Sequence, residues 1–422
     1  MTFLAIVLFT VLAWLVFYLG WRKSSRSFLV LYCGLFVIVG HQVFSAANVV
    51  FGPFPFAELD AYSFHLHGVQ RVEIPETRVW TIGSSIYKSL LASLYSVFGI
   101  SLWLGQAFSI VFFALAAAIF CHFSKQLHLS NLSLAIALLL FGLLPSSLLY
   151  GSFTYRETFM VAFFMLGSYV SFLSIQTKNR QRQWLLASLA LLAFLLMGLF
   201  HMVLLVYAII ISALLCLVLY AQHASWQRVI IQTLVLTIVV GITLLLMKEF
   251  LSINLADNYF AMLRVQVEGK VVPIPHAISI YHQTANATGA ATQYDAALEF
   301  TTWGRMLFVF AYSYIFYIGW PLTGDYTELS TWVIFLEAVF RLLGVAAMFL
   351  LGRKNKQWYW LIILYVSLTF LWNIGTSNHG QALRHHIMTE WILILAILSY
   401  LQMRFSTLLH GHQPKHGKLS DS

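Results

Sequence analysis

Long apolar runs, most of them close to 20 residues, recur along the whole chain and are separated by polar gaps. A run of about 20 apolar residues is what an α-helix needs to cross the hydrocarbon core of a bilayer. The pattern therefore predicts an all-α polytopic membrane protein with about eleven transmembrane helices. The predicted spans are residues 2–20, 28–47, 102–123, 131–150, 158–175, 185–200, 202–221, 229–248, 331–351, 359–375 and 389–403.

Two further segments have helical patterns but are not predicted to cross. Within residues 84–98 the apolar side chains recur at helical spacing: Ile86, Leu90, Leu91, Leu94, Val97 and Phe98. Lys88, Ser89 and Ser93 occupy the opposite side, so we predict an amphipathic helix in the plane of the membrane interface. Residues 303–322 are rich in Tyr, Phe and Trp, which suits a re-entrant or interfacial segment at headgroup level.

The gaps between the spans alternate in charge. One set is short and basic: Arg22, Lys23, Arg26, Lys125, Lys178, Arg180, Arg182, Arg228, Arg353, Lys354, Lys356, Arg404, Lys415 and Lys418. The other set is longer and carries the carboxylates, many aromatic residues and prolines. The positive-inside rule places the basic gaps in the cytoplasm. The N-terminus and two large loops, 48–101 and 249–302, then lie outside, and residues 404–422 form a cytoplasmic tail.

Composition agrees with one integral membrane domain over residues 1–422. The chain is 60% hydrophobic and 9% charged, with a mean hydropathy of +0.82. Its net charge of +9 is concentrated in short loops beside the spans, where anionic lipid and the membrane potential account for it. Membrane lipid is therefore an expected partner and nucleic acid is not. The three cysteines all lie within apolar runs, which predicts neither a disulfide framework nor a cysteine metal site.

The first candidate site follows the second span. Glu58 and Asp60 stand two residues apart, followed by Tyr62, His65 and His67. Such carboxylates at a membrane surface can act as a general base, and with the imidazoles they would permit a divalent cation. No residue requires a metal, and no cofactor is predicted. The structural alternative is a solvated loop in which Asp60 caps the start of a helix.

The second candidate site is Tyr155-Arg156-Glu157, between the fourth and fifth spans. Arg156 could hold a phosphate through two parallel hydrogen bonds, with Glu157 orienting the guanidinium. The alternative interpretation is an Arg–Glu pair that closes a tight helical hairpin. Pro145 precedes this segment, so we expect the helix to loosen before the loop.

A third candidate site lies before the last span, where Arg384, His385 and His386 follow one another. This cationic patch suits an anionic lipid headgroup or a phosphate leaving group. Ordinary snorkelling to lipid phosphate is the alternative. Within the membrane, Glu337 and Arg341 are four residues apart and are expected to form a stabilising ion pair on one helix.

The order of these parts resembles that of multispan membrane glycosyltransferases of the GT-C type, such as protein O-mannosyltransferases and the aminoarabinose transferase. The resemblance covers an acidic first loop, the stretch from Gly83 to Gly99, the stretch from Pro145 to Glu157, and the Arg-His-His segment. Two departures are the spacing Glu-Leu-Asp in place of adjacent acids and an extra span before the acidic loop.

The resemblance implies sugar transfer from a polyprenyl-phosphate donor to a glycan, lipid or protein acceptor at the outer face of a bacterial cytoplasmic membrane. It implies Asp60 as the base, with Glu58 as its neighbour. Arg384, Arg156, His385 and His386 would bind the donor phosphate, with Glu157, Tyr62, His65 and His67 in support.

Two other functions stay open at this point. One is a polymerase resembling the O-antigen type, which would join lipid-linked repeats and use Arg264, Lys270 and Arg305 in the second loop. The other is a transporter or flippase for such lipids, which would place ionisable residues at mid-membrane on broken helices.

Overall fold

The computed structural model of the protein describes residues 1–52, 54, 60–222, 266–267, 270–271, 303–319, 329–375 and 379–410. The helices of the described residues are α1 (Thr2–Ser24), α2 (Phe28–Phe51), α3 (Asp60–Glu73), α4 (Ser84–Phe98), α5 (Leu102–Gln126), α6 (Asn131–Leu143), α7 (Pro145–Ser152), α8 (Glu157–Gln176), α9 (Arg180–Leu199), α10 (Met202–Ala221), α11 (Trp303–Gly319), α12 (Leu329–Lys354), α13 (Gln357–Gly375) and α14 (His379–His410). A 3₁₀ turn covers Pro75–Thr77, and Gln266–Val267 (β1) pairs antiparallel with Lys270–Val271 (β2).

Eight of the described helices are long and apolar enough to cross a membrane: α1, α2, α5, α8, α9, α10, α12 and α14. The bent pair of α6 and α7 would raise that number to nine. The expectation of a polytopic helical membrane protein is thus confirmed, while the total of eleven spans stays a prediction. The predicted span 229–248 lies outside the described residues, as does all of loop 249–302 except the short β-ladder.

Close approach between helices depends on small residues. α1 packs along α5, where Gly20 lies against Ala118, and a methyl group at Gly20 would come within 2.4 Å of the Ala118 side chain. At Gly142, on α6, the same addition would collide with Val37 of α2. In lipid, where apolar burial gives little driving force between helices, such close backbone contact is a main source of association.

The predicted span 131–150 is broken at Pro145, where the sequence predicted that the helix would loosen. α6 and α7 meet at Leu144 and Pro145 with a bend of 63°. The physical reason is that proline has no N–H to donate and clashes with the carbonyl four residues earlier. The break leaves the first N–H groups of α7 without helical partners. One of them, the N–H of Ser146, donates to Glu337 Oε1 at 2.9 Å.

Glu337 belongs to a buried cluster that joins three helices. The expected ion pair with Arg341 is present, with Nη1 3.8 Å from Glu337 Oε2. Arg341 lies closer to Glu390 of α14, 3.4 Å from its Oε1, and Ser146 Oγ donates to Glu390 Oε2 at 3.0 Å. The four residues are at most 4% exposed. The cluster therefore fastens α12 and α14 to the broken helix.

Loops of different charge lie at the two ends of the helix bundle. Ser25 and Lys125, from separate basic gaps, both donate to the side-chain oxygen of Asn131, at 3.1 and 2.6 Å. At the opposite end of α1, Thr2 Oγ1 donates to the carbonyl of Phe98 at 2.8 Å, in the loop predicted to be acidic and external. Loops that the charge pattern assigns to the same side of the membrane thus lie at the same end of the helix bundle.

We expect Glu390 to contribute more to stability than Glu337, because Arg341 Nη1 lies 3.4 Å from Glu390 Oε1 but 3.8 Å from Glu337 Oε2. Both oxygens of Glu390 accept hydrogen bonds, whereas Glu337 Oε2 accepts none from the described residues. Glu337→Gln should therefore keep nearly the wild-type melting temperature in detergent. Glu390→Gln should lose about 1.5–3 kcal/mol, because it removes the hydrogen-bonded anion from Arg341. Equal losses in the two variants, measured by thermal unfolding, would contradict this assignment.

Candidate functional site

Arg384 joins three helices that are far apart in sequence. From α14, its Nε donates to Glu157 Oε1 at 2.5 Å, and its Nη1 donates to Asp60 Oδ2. The guanidinium also lies over the ring of Tyr155, 5.4 Å from the centroid. Its side chain is only 13% exposed. A charge so deeply placed needs paired anions, and the two carboxylates supply them.

Glu157 is the buried partner in this group. It is the first residue of α8, where the free N–H groups of the helix favour a negative charge. Arg156 precedes it with Nε 3.6 Å from Glu157 Oε1, and donates from Nη1 to the carbonyl of Phe200 at 3.0 Å. Burial lowers the pKa of Arg156, an effect that the nearby Glu157 opposes. Arg156 Nε and Glu157 Oε2 have no hydrogen-bond partner among the described residues.

Asp60 is the exposed partner, with 56% of its side chain accessible. It is the first residue of α3 and contacts Arg384, while a capping role for its side chain stays a prediction. Thr154 Oγ1 donates to the carbonyl of Ala61 at 2.6 Å, which fixes the start of α3 beside the segment that leads into Glu157.

Arg71, in the last turn of α3, attaches this helix to α4 and was not a candidate in the sequence analysis. Its Nη1 donates to the carbonyl of Ser85 and to Ser89 Oγ, each at 2.7 Å. α4 has the predicted bounds, and Leu91 is buried as expected. Two positions differ from the predicted amphipathic pattern. Ser89 is fully buried because it binds Arg71, and Val97 is 62% exposed.

The two histidines of α3 have different surroundings. His65 Nδ1 and the Tyr95 hydroxyl are hydrogen-bonded at 2.9 Å, and burial lowers the pKa of His65 while raising that of Tyr95. The pair is therefore neutral, with the hydroxyl able to donate. His67 Nδ1 donates to the carbonyl of Ser63 at 2.8 Å within its own helix and is exposed. Tyr62 is 42% exposed, with its ring 6.0 Å from that of His65.

His385 and His386 contact neighbours that differ from those of Arg384. The segment is helical, since α14 begins at His379, and successive residues of a helix point about 100° apart. His385 stacks on Trp372 with ring centroids 3.8 Å apart. His386 is buried and donates from Nε2 to the carbonyl of Tyr317 at 2.8 Å. A shared role of the three residues in phosphate binding stays a prediction.

Two further predictions concern Glu58 and a metal ion. Glu58 lies outside the described residues. Among the residues that are described, no group of three or more His, Cys, Asp or Glu side chains could hold a metal ion. The convergent group therefore consists of Asp60, Glu157, Arg156 and Arg384 over Tyr155. It combines a solvent-facing carboxylate with two guanidiniums behind it. Such an arrangement can accept a proton at the surface and stabilise an anion next to it.

No family model matches the chain, and neither a curated protein nor a solved structure matches it. Any functional assignment therefore depends on the geometry of these residues.

His201 lies behind the site in the turn between α9 and α10, with its ring edge-on to Trp372 at 4.9 Å. Burial first, and then Arg156 and Arg384, lower the pKa of His201 to about 3. The folded protein keeps this ring neutral where an unfolded histidine, with a pKa of about 6.5, binds a proton.

Stability should therefore fall as the pH drops from about 6.5 to 5, by at most about 1.36 kcal/mol per pH unit for this group. His201→Gln should flatten the dependence of the melting temperature on pH over that range. His67→Gln, which changes an exposed histidine, serves as the control for replacing a histidine with glutamine. A His201→Gln slope equal to that of the wild type would contradict the prediction.

Proposed function

We propose that this protein is a membrane glycosyltransferase that moves a sugar from a polyprenyl-phosphate donor to an acceptor hydroxyl at the outer face. The observation that supports this most directly is the contact between Asp60 and Arg384, which come from opposite ends of the chain. A base and an anion-binding guanidinium side by side are what displacement of a sugar from a phosphate requires.

In the proposed reaction, Asp60 removes the proton from the acceptor hydroxyl. The acceptor oxygen forms a bond to the anomeric carbon from the side opposite the phosphate, which inverts that carbon. The bond between the anomeric carbon and the phosphate oxygen breaks, and its electron pair leaves with the lipid phosphate. Arg384 and Arg156 stabilise the charge that develops there, while Glu157 holds Arg384 in place.

An apolar groove offers space for part of a prenyl tail. It has a volume of about 420 Å³ and lies between α1, α2 and α5, lined by residues that include Trp14, Val43 and Ala107. Gly105, two residues before Ala107, packs against the Tyr95 hydroxyl that binds His65. α5 thus lines the groove and also contacts the residue that binds α3.

We expect Asp60→Asn to lower the transfer rate about 10²–10⁴-fold, since that is the usual cost of losing a general base. The matched control is Glu73→Gln, which changes an exposed acid at the other end of the same helix. The assay measures sugar transfer by membranes that contain equal amounts of folded protein. Near-normal turnover by Asp60→Asn would exclude Asp60 as the base.

A second candidate, a transporter of lipid-linked glycans, is favoured by one observation. Glu337, Arg341 and Glu390 meet at the broken helix α6–α7, and transporters bind their coupling ions at such discontinuous helices.

A transferase and a transporter can be distinguished because only transport needs two compartments. A transferase should form a product of new mass from donor and acceptor in detergent micelles, detected by mass spectrometry. A transporter should form none in micelles but should move the lipid across a liposome membrane. Movement without any new product would replace the transferase proposal, and a ladder of lengthened products would indicate polymerisation.

A further inference from the structure

The two carboxylates on Arg384 differ in how easily they could leave it. The Glu157 side chain is 2% exposed and the Asp60 side chain is 56% exposed, although both contact the same guanidinium. Removing Glu157 would leave a buried guanidinium without its enclosed partner, which is costly. Asp60 can turn to water instead, where it is well solvated. Asp60 is therefore the exchangeable partner.

The position that Asp60 occupies also suits a phosphate oxygen. Guanidinium groups bind phosphate through directed, charge-assisted hydrogen bonds. A second guanidinium is at hand, because Arg156 lies 3.6 Å from Glu157 and its buried Nε has no hydrogen-bond partner among the described residues. Asp60 and Glu157 now balance Arg156 and Arg384, so a phosphate that arrives as Asp60 leaves keeps the charges matched.

We propose that the Asp60 carboxylate occupies the donor-phosphate position on Arg384, and that binding of the lipid phosphate displaces it toward the acceptor. This inference rests on the proposed function in taking the ligand to be a prenyl phosphate ester. The exchange orders the reaction, because the side chain that acts as base is released only after the donor has bound. An acceptor without donor then meets an Asp60 that is still held by Arg384.

The test is binding of farnesyl phosphate to the full-length protein in detergent, by thermal shift and by titration. Asp60→Asn should bind it about three- to tenfold more tightly than the wild type, because it removes a competitor from the binding-competent state. Arg384→Gln should lose binding, and Glu73→Gln should match the wild type. Farnesol should not bind detectably better to Asp60→Asn. Inorganic phosphate shows whether the headgroup alone suffices.

Glu157→Gln is the decisive comparison, because it removes the same charge from the same guanidinium. If Asp60 marks the phosphate position, only Asp60→Asn gains affinity, while Glu157→Gln weakens binding by loosening Arg384. Equal gains in both variants would mean that net charge alone governs binding, and would overturn the proposal. So would unchanged or weaker binding by Asp60→Asn.

The exchange proposal and the glycosyltransferase proposal can fail independently of each other. Tighter phosphate binding by Asp60→Asn, combined with no glycan product from the wild type, would support the exchange and reject the glycosyltransferase. Product formation by the wild type, with no gain in affinity in Asp60→Asn, would support the transferase and reject the exchange.

Discussion

The arrangement of the site depends on a guanidinium that is largely removed from water. Arginine cannot shed its charge in a protein, so Arg384 must be met by anions wherever the fold places it. Glu157 and Asp60 meet it from α8 and α3, and Tyr155 covers its face. A single residue of the last helix thereby sets the position of two other helix starts. The distance between Asp60 and Glu157 follows from the geometry of that guanidinium.

α14 also contributes a charged side chain to a second ion pair, deeper in the bundle. Glu390 follows Arg384 by six residues, about 9 Å along the helix axis, and binds Arg341 and Ser146. Ser146 is the second residue of α7 and Glu157 is the first residue of α8, so charged groups of α14 bind near the start of both helices. The proline break is stable because Glu337 accepts a hydrogen bond from the Ser146 N–H that the break leaves without a helical partner.

The sequence predicted what depends on local pattern. Apolar run length located most of the helices, and the spacing of Leu91 and Leu94 located α4 to the residue. It also indicated Asp60, Arg156 and Arg384 as candidates, since charged residues are costly near lipid. It could not predict partners that are distant in the chain. That Glu337 would accept from Ser146, or that three consecutive residues from Arg384 would point to three different neighbours, depends on how the helices pack and rotate.

The difference in solvent exposure between Asp60 and Glu157 helps to explain why Asp60 contacts Arg384. An ion pair with a partner as exposed as Asp60 adds only about 0–1 kcal/mol to stability, since water and salt screen it. Glu157 already supplies the enclosed anion that Arg384 needs. Stability therefore gives little reason to place a second carboxylate on this guanidinium. A carboxylate that is weakly bound, reachable from solvent and next to an anion-binding group is better explained by a part in chemistry at that surface.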